Sequence, residues 1–320
     1  MTSTLPQEVR DAFDRFVTCE LTTVDARKQP ITWPVTPYYG QGDPTIDVTT
    51  GLGYPKKADD AAAHPSVALL FSDWTGSGIE SPARVLVQGT AAIDDRDLKA
   101  NAERYYRESI EKLPATKKMH PPGPLRRMLN WYYARIYIKV RPERVFFWPD
   151  GDVTGEPEVL GAHLEEVRSG HSEEPAEDHG PPAGGGIAWD GRMEWLAEQE
   201  TGVLSWLGPD GFPIAVRVPI DVDRASRAIA IQAEPGGLPM LEGRACLTVH
   251  RHAPDFSWQR NMQVRGDLTR TEAGWRLIPH RMVGGFELPE GRLRRNRDFI
   301  RKGPTFYRTY RRRMRERSGR

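Results

Sequence analysis

The feature of this sequence that most constrains its fold is a repeated order of short apolar segments on either side of an acidic stretch rich in Gly and Pro. Residues 19–39 and residues 202–222 each read as a strand, a polar turn and a second strand that carries Pro. Each hairpin is followed by an apolar run and then by a strand centred on glycine, first as VALLFSDW and RVLVQGT, and again as ACLTVHRH and NMQVRGD. Three matched blocks in one order indicate an internal duplication, although two unrelated β-rich domains can share such hairpins.

Short strands with few strand–helix–strand alternations favour antiparallel barrels with accessory helices. We therefore predict a mainly β protein of two tandem split β-barrels of the antiparallel, Greek-key type, at residues 1–150 and 187–290. Residues 151–186 are rich in acids, Gly and Pro and are predicted to be a linker, because they cannot bury enough apolar surface to fold alone. Residues 291–320 form a basic tail. The 320 residues of the chain are enough for two domains of roughly 100 to 200 residues each.

The balance of charge argues against an overall attraction to nucleic acid or to a membrane. The chain has 45 basic and 44 acidic residues, for a net charge of +1, so any such attraction must be local. It contains no uncharged apolar run of about 18 residues, the minimum for a membrane span. The cysteines, Cys19 and Cys246, lie far apart, and the amino terminus lacks the apolar core of a signal peptide. We expect two reduced thiols in a cytoplasmic protein.

The basic tail is the one place where nucleic acid is a candidate partner. Its arginines are interleaved with aromatic residues, a pattern that suits a helix packed on the barrels with its arginines paired to the acidic linker. Nucleic acid is therefore not an expected partner.

The segment that carries chemistry is residues 49–65, TTGLGYPKKADDAAAHP, which comes directly before an apolar strand. Lys56 and Lys57 follow a Gly-containing loop at the start of a helix, where side-chain cations and free backbone N–H groups can face the same anion. The pattern indicates a phosphate site. Two exposed lysines on a short surface helix would give the same pattern.

These residues resemble the pyridoxamine 5′-phosphate oxidase-like split-barrel superfamily, which includes FMN enzymes and deazaflavin-dependent reductases. In the family pattern a strand ending in Thr is followed by a basic pair, a short helix, and a Pro that opens an apolar strand. The resemblance covers most of residues 10–150. It places Lys57 as the phosphate ligand with Lys56 beside it, residues 31–37 along the isoalloxazine ring, and residues 85–89 at the family's strand ending in Gly.

The resemblance implies a cofactor in a groove between two barrels of a homodimer, which a tandem chain can build within itself as a pseudo-dimer. Whether two chains pair further stays open. The second barrel would then supply one wall, with Arg217 and residues 258–261 as candidate contributors. The residues expected to bind the cofactor are Lys56, Lys57, Thr49, Thr50, Trp33, Val35, Gln88 and Arg217.

The implied activity is that of an oxidoreductase which uses FMN, or alternatively the deazaflavin F420, to transfer a hydride to or from a small-molecule substrate. Haem is a minor alternative, because some relatives bind it. No catalytic acid or base is identified, and Tyr38, Tyr39 and Tyr54 are either ring neighbours or packing residues. A second hypothesis is a non-catalytic ligand-binding or interaction module on the same scaffold.

Two positions depart from the family pattern. Asp60 stands where many relatives have a neutral residue, and an acid there repels a phosphate unless its side chain turns away. In the second barrel, residues 232–242 contain no cation where the lysine-bearing helix is expected, which implies at most one phosphate site per chain.

Three residues of the second barrel have a spacing that could suit metal ligands. Cys246, His250 and His252 lie at even spacing, so that on a strand they would project from one face. Such a pattern also occurs on solvated strand faces, and no fourth ligand is indicated. No metal site is predicted.

Overall fold

The structure is a computed structural model. It describes residues 5–40, 44–80, 82–118, 120, 126, 128–161, 190–285 and 287–319.

The first half of the chain forms an antiparallel sheet of seven strands in the order β2-β1-β4-β5-β6-β3, with β7 paired to β6. Runs of β-branched and aromatic residues such as VALLF favour these strands, and both faces of the central strands are buried. The strands are β1 (Cys19–Val24), β2 (Pro30–Val35), β3 (Ile46–Gly51), β4 (Ser66–Phe71), β5 (Arg84–Asp94), β6 (Arg135–Trp148) and β7 (Glu158–Leu160).

The second half forms a closed antiparallel barrel in the order β10-β13-β12-β11-β8-β9. This confirms the predicted fold class, a mainly β protein with two antiparallel split-barrel domains and few helices. The strands are β8 (Thr201–Leu207), β9 (Pro213–Asp223), β10 (Ala228–Ile231), β11 (Gly243–His252), β12 (Gln259–Thr271) and β13 (Gly274–Gly284).

The helices lie at the ends and edges of these sheets. Among the described residues, no helix is long and apolar enough to cross a membrane. The helices are α1 (Gln7–Arg15), α2 (Lys56–Ala63), α3 (Leu98–Lys112), a 3-10 helix (Pro114–Lys118), α4 (Asn130–Tyr133), α5 (Gly191–Ala197) and α6 (Arg292–Ser318).

Both halves contain a β-bulge at a glycine. The register of β5 against β6 shifts between Gln88 and Gly89, and that of β12 against β13 shifts between Arg265 and Gly266. A Cβ at Gly89 would lie 2.1 Å from the Arg141 carbonyl oxygen, and one at Gly266 would lie 2.3 Å from the Ile278 carbonyl oxygen. Glycine is therefore required at both bulges, because any side chain would collide with the backbone of the neighbouring strand.

The two barrels pack directly on each other and share a core. Ala68, Leu70 and Leu86 of the first sheet belong to the same buried cluster as the second barrel's interior. Side chains also bridge the halves, because Gln88 Nε2 donates to the Pro213 carbonyl at 2.9 Å and Gln263 Nε2 donates to the Thr32 carbonyl at 3.0 Å. The first bond joins β5 to β9, and the second holds β2 against β12, the two strands that form opposite walls of the site described below.

The structure differs from the prediction at the start of the segment expected to be a linker. Residues 158–160 form β7 on the edge of β6, and Val159 packs against the shared core. An apolar side chain within this acidic stretch is enough to anchor a short strand. Residues 162–186 of the predicted linker lie outside the described part of the chain.

The basic tail forms the long helix α6, which lies against the first barrel. Arg313 pairs with Asp59 of α2, and Arg317 pairs with Asp95 after β5. The expected pairing of these arginines with the acidic linker falls on residues outside the described part of the chain. The described ion pairs instead fasten α6 beside α2.

Candidate functional site

A cavity of about 1190 Å³ lies between the two barrels. Its first wall comes from β2, β3, α2, α3 and α4 of the first barrel, and its second wall comes from β12 and β13. Helix α6 contributes Lys302 and Phe306. Phe306 stacks on Trp131 with ring centroids 5.0 Å apart and meets the Tyr54 ring edge-on at 5.5 Å. The long helix is therefore part of the site.

Arg135, the first residue of β6, is a buried cation in the cavity wall. It is only 4% exposed, and its guanidinium carbon lies 3.8 Å from the ring centroid of Tyr105 and 4.1 Å from that of Tyr132. Its Nη1 donates to the Tyr54 hydroxyl at 3.1 Å. Its Nε is buried and has no hydrogen-bond partner among the described residues. The aromatic faces stabilise the cation without cancelling its charge.

Lys57 is a second cation of this wall, at the start of α2. Its Nζ lies 5.9 Å from the centroid of the Tyr54 ring. Burial lowers the pKa of Lys57 to about 8, and the positive charge of Arg135 contributes to the same shift. Among the described carboxylates, none forms a salt bridge with either Lys57 or Arg135. Two neighbouring cations without an acid favour a ligand that brings negative charge.

The whole described lining of the cavity has one sign of charge. It contains seven basic residues, and none of the described lining residues is Asp or Glu. His120 adds no charge at neutral pH, because burial lowers its pKa to about 4, with smaller contributions from Arg135 and Arg126. The basic residues are Lys56, Lys57, Lys118, Arg135, Arg265, Arg281 and Lys302.

The structure separates the two lysines that the sequence placed together. Lys56 Nζ pairs with Asp60 Oδ1 at 2.9 Å on the same helix face, and the Lys56 side chain is 55% exposed. Asp60 does not line the cavity. The acid at this position is therefore bound to Lys56, which leaves Lys57 as the lysine of the pair that has no salt bridge to a described carboxylate.

The cavity brings together five of the eight residues expected at a cofactor site. Each of the five lies in the first wall, on β2, β3 or α2. They are Trp33, Val35, Thr49, Lys56 and Lys57. The hydroxyl of Thr49 is buried and has no hydrogen-bond partner within the described chain, so it is available to a bound ligand.

The other three expected residues do not line the cavity within the described structure. Thr50 points to the opposite face of β3 and donates to the Tyr54 carbonyl at 3.0 Å. Gln88 is fully buried and bridges the barrels through Pro213. Arg217 is held in a buried ionic cluster described next. Each of the three side chains is thus hydrogen-bonded to another part of the protein, and Thr50 faces away from Thr49 because neighbouring positions on a strand face opposite sides.

The ionic cluster joins the two barrels, and Glu20, Arg217 and His250, which form it, are not among the described residues that line the cavity. Glu20 is fully buried, and its Oε1 accepts from Arg217 Nη2 at 2.7 Å and contacts His250 Nε2 at 2.6 Å. Burial alone would raise the pKa of Glu20, but the hydrogen bond to His250 and the charge of Arg217 outweigh it and hold that pKa below its ordinary value. The cluster accounts for Arg217 without any ligand.

The histidines considered as metal ligands also have protein partners. His252 Nε2 lies 3.2 Å from the Thr18 hydroxyl, and His250 contacts Glu20. The thiol of Cys246 lies 3.7 Å from the Thr248 hydroxyl. No group of metal-ligating side chains was found among the described residues.

Other expectations divide between the cavity and the core. Tyr38 and Tyr54 line the cavity, whereas Tyr39 packs edge-on against Phe13 with centroids 5.3 Å apart. From residues 258–261 of the second barrel, Gln259 and Asn261 line the cavity.

The sequence patterns do not identify Arg135 as a site residue. It lies 78 positions beyond Lys57, and only antiparallel pairing of β3 with β6, which sets Gly51 opposite Arg135, brings it to the same wall. The available signal was a basic residue at the end of the aromatic run NWYYAR, directly before an apolar strand.

Solved structures similar to this chain match about half of it. General Stress Protein 26 from Bacillus anthracis is 18% identical, with 48% of this chain and 95% of that protein covered and a TM-score of 0.32. A putative pyridoxamine 5′-phosphate oxidase from Listeria innocua is 16% identical, with 48% and 97% covered and a TM-score of 0.31. A pyridoxamine 5′-phosphate oxidase-related, FMN-binding protein from Nostoc punctiforme is 12% identical, with 46% and 86% covered and a TM-score of 0.33.

No protein-family model and no curated protein matches the chain.

Proposed function

We propose that the cavity between the barrels binds a flavin phosphate, FMN or the deazaflavin F420, and that the protein is an oxidoreductase acting on a small molecule. The observation that carries this proposal is the pair of cations Lys57 and Arg135 in a cavity whose described lining contains no carboxylate. The sequence resemblance to the split-barrel flavoproteins supports the choice of ligand.

The residues present fit the phosphate end of such a cofactor. Lys57 and Arg135 supply two positive charges, and Thr49 supplies a buried hydroxyl that has no partner among described residues. Charge-assisted hydrogen bonds to an anion are stronger than neutral ones. A phosphate here would satisfy the Arg135 Nε, which is otherwise a buried donor without an acceptor.

The rest of the cavity fits a planar ring. Trp33 and Val35 lie along β2 on one side, and Gln259 and Asn261 lie along β12 on the other. Amide side chains in this position offer hydrogen bonds to the edge of a heterocyclic ring, while the apolar residues exclude water.

The flavin would supply the hydride chemistry, and the chain would supply binding, orientation and exclusion of water. Tyr54 is the best-placed proton holder, because its hydroxyl lies in the wall next to Arg135. Burial raises the pKa of Tyr54 above its ordinary value, so the phenol stays protonated at neutral pH. It can therefore donate a hydrogen bond but does not act as a base.

We propose that each chain holds one such site and forms its own pseudo-dimer. The glycine bulges after Gln88 and Arg265, at matching places in the two halves, support an internal duplication. The second half keeps the strands but has no cation in residues 232–242, so its role is to complete the wall. We also propose a cytoplasmic location, which the two buried free thiols support.

The experiment that tests this function is an absorbance spectrum of the purified protein followed by fluorescence titration with FMN and with F420. Saturable binding of one of them identifies the hydride carrier. Binding of neither overturns the proposal and favours the non-catalytic module.

A further inference from the structure

The second wall of the cavity contains a pair of arginines directly opposite each other on neighbouring strands. Arg265 of β12 faces Arg281 of β13 in the antiparallel register, and both line the cavity. Like charges directly opposite each other destabilise a sheet. A pair of this kind therefore costs stability, and a bound anion would offset that cost.

The described chain provides no carboxylate partner for this pair. Neither arginine forms a salt bridge with a described Asp or Glu. Asp25 and Asp60 act on Arg265 only from beyond salt-bridge distance. Arg281 is exposed to the cavity side and makes no hydrogen bond to another described residue. Both positive charges therefore line the cavity without a salt bridge to a described carboxylate.

The position of Arg265 is set by the barrel interface. Its Nε donates to Gln263 Oε1 at 2.6 Å, and the fully buried Gln263 donates in turn to the Thr32 carbonyl of the first barrel at 3.0 Å. This chain of bonds fixes the stem of the guanidinium. Its terminal amino groups, which make no hydrogen bond to the described chain, are available to a ligand.

The number of positive charges in the cavity exceeds what the cofactor phosphate can balance, which distinguishes the Arg265–Arg281 pair from the phosphate site. One phosphate dianion of FMN balances Lys57 and Arg135, whereas the other two lysines of the first wall are exposed, and one of them, Lys56, is paired with Asp60. Arg265 and Arg281 then remain as two further charges on the opposite wall, and planar guanidinium groups match carboxylate and phosphate oxygens in pairs.

We propose that Arg265 and Arg281 form an anion subsite for the substrate, which accordingly carries a carboxylate or phosphate group. This inference rests on the proposed flavin function, because the substrate is the second ligand of the same cavity. It assigns a substrate class, small anionic molecules, and a role for the second barrel beyond completing the wall.

The test compares 2-naphthoate with its neutral analogue 2-naphthamide, using full-length protein with and without FMN and calorimetry as the readout. The variant R265Q/R281Q removes the subsite. The variant R308Q/R311Q removes the same charge from the exposed face of α6 and serves as the control. We expect R265Q/R281Q to weaken naphthoate binding roughly tenfold or more and to leave naphthamide binding and FMN binding unchanged.

Equal naphthoate affinity in R265Q/R281Q and wild type overturns the subsite. A loss of FMN affinity in R265Q/R281Q also overturns it, since the pair would then belong to the cofactor phosphate. If wild type binds no FMN, the proposed function fails, and the naphthoate comparison without FMN still decides whether the arginine pair selects anions.

Discussion

The guanidinium carbon of Arg135 lies 3.8 Å from the ring centroid of Tyr105, and this contact explains how the protein keeps a buried positive charge without an acid. A carboxylate partner would neutralise the cation and remove its attraction for a ligand. The rings of Tyr105, whose pKa is raised by burial, and Tyr132 stabilise the cation through their π-faces and leave its charge available.

Lys57 and Lys56 should contribute unequally to cofactor binding. We expect Lys57→Met to weaken FMN binding roughly 10- to 100-fold, because it removes one charge-assisted contact. Lys56→Met is the matched control and should change the affinity by less than about threefold, since an exposed ion pair contributes little. Fluorescence titration measures both. Equal losses in the two variants would contradict the separation seen in the structure.

Binding of FMN should depend on pH through Lys57. The pKa of this lysine in the free protein is lowered to about 8, and only the protonated form attracts the phosphate. Below that pH the affinity should be constant with respect to Lys57, and above it the affinity should fall as binding requires uptake of a proton. Riboflavin, which lacks the phosphate, should not show this fall, and Lys57→Met should abolish it. A flat profile for FMN in wild type between pH 7 and pH 9, about one unit on either side of the pKa, would contradict the assignment.

Arg217 should be required for stability and not for cofactor binding. Arg217→Met removes the salt bridge to the buried Glu20 and leaves His250 and the Ser72 hydroxyl as its described partners, which costs up to about 3 to 5 kcal/mol in the free energy of unfolding. Denaturant unfolding measures this loss, and the double variant Glu20→Gln with Arg217→Met should recover part of it. If Arg217→Met unfolds like wild type but binds FMN more weakly, the structural role is wrong and Arg217 binds the cofactor, as the sequence predicts.

Gly89 should not tolerate a side chain. The new Cβ in Gly89→Ala would lie 2.1 Å from a backbone oxygen, so the bulge must shift, at a cost of about 1 to 3 kcal/mol. Gly191→Ala, where nothing lies within 4 Å, is the control and should leave the unfolding midpoint unchanged. Equal unfolding midpoints for the two variants would contradict this prediction, because they would show that β5 accommodates the methyl group without loss of stability.

The sequence predicts the local parts of the site well. Lys57 and Thr49 belong to one continuous segment that predicts a phosphate site. Trp33 belongs to a predicted strand, in which side chains alternate between the two faces. The tandem barrels follow from hairpins and turn residues that recur in order. These features depend on neighbours in the chain, which a sequence displays directly.

The sequence does not predict contacts that depend on register between distant strands. Arg135 reaches Lys57 only through the pairing of β3 with β6, and Arg265 meets Arg281 only through the shifted register at a bulge. Arg217 lies on the second barrel's hairpin strand, from which a contact with the cofactor is expected. Its ion pair with the buried Glu20 of the first barrel sets its orientation instead. The sequence does not show whether Asp60 would repel a bound phosphate, because its salt bridge with Lys56 is visible only in the structure.

The central claim is that the cavity between the barrels binds a flavin through its phosphate, and the most direct test is a titration of the wild-type protein with FMN and with riboflavin. We expect saturable binding of FMN with one site per chain, and binding of riboflavin that is roughly tenfold weaker or more, because it cannot engage Lys57 and Arg135. A protein that binds F420 in place of FMN would keep the claim and name the other carrier. Equal affinities for FMN and riboflavin, or no binding of any of the three, would contradict it.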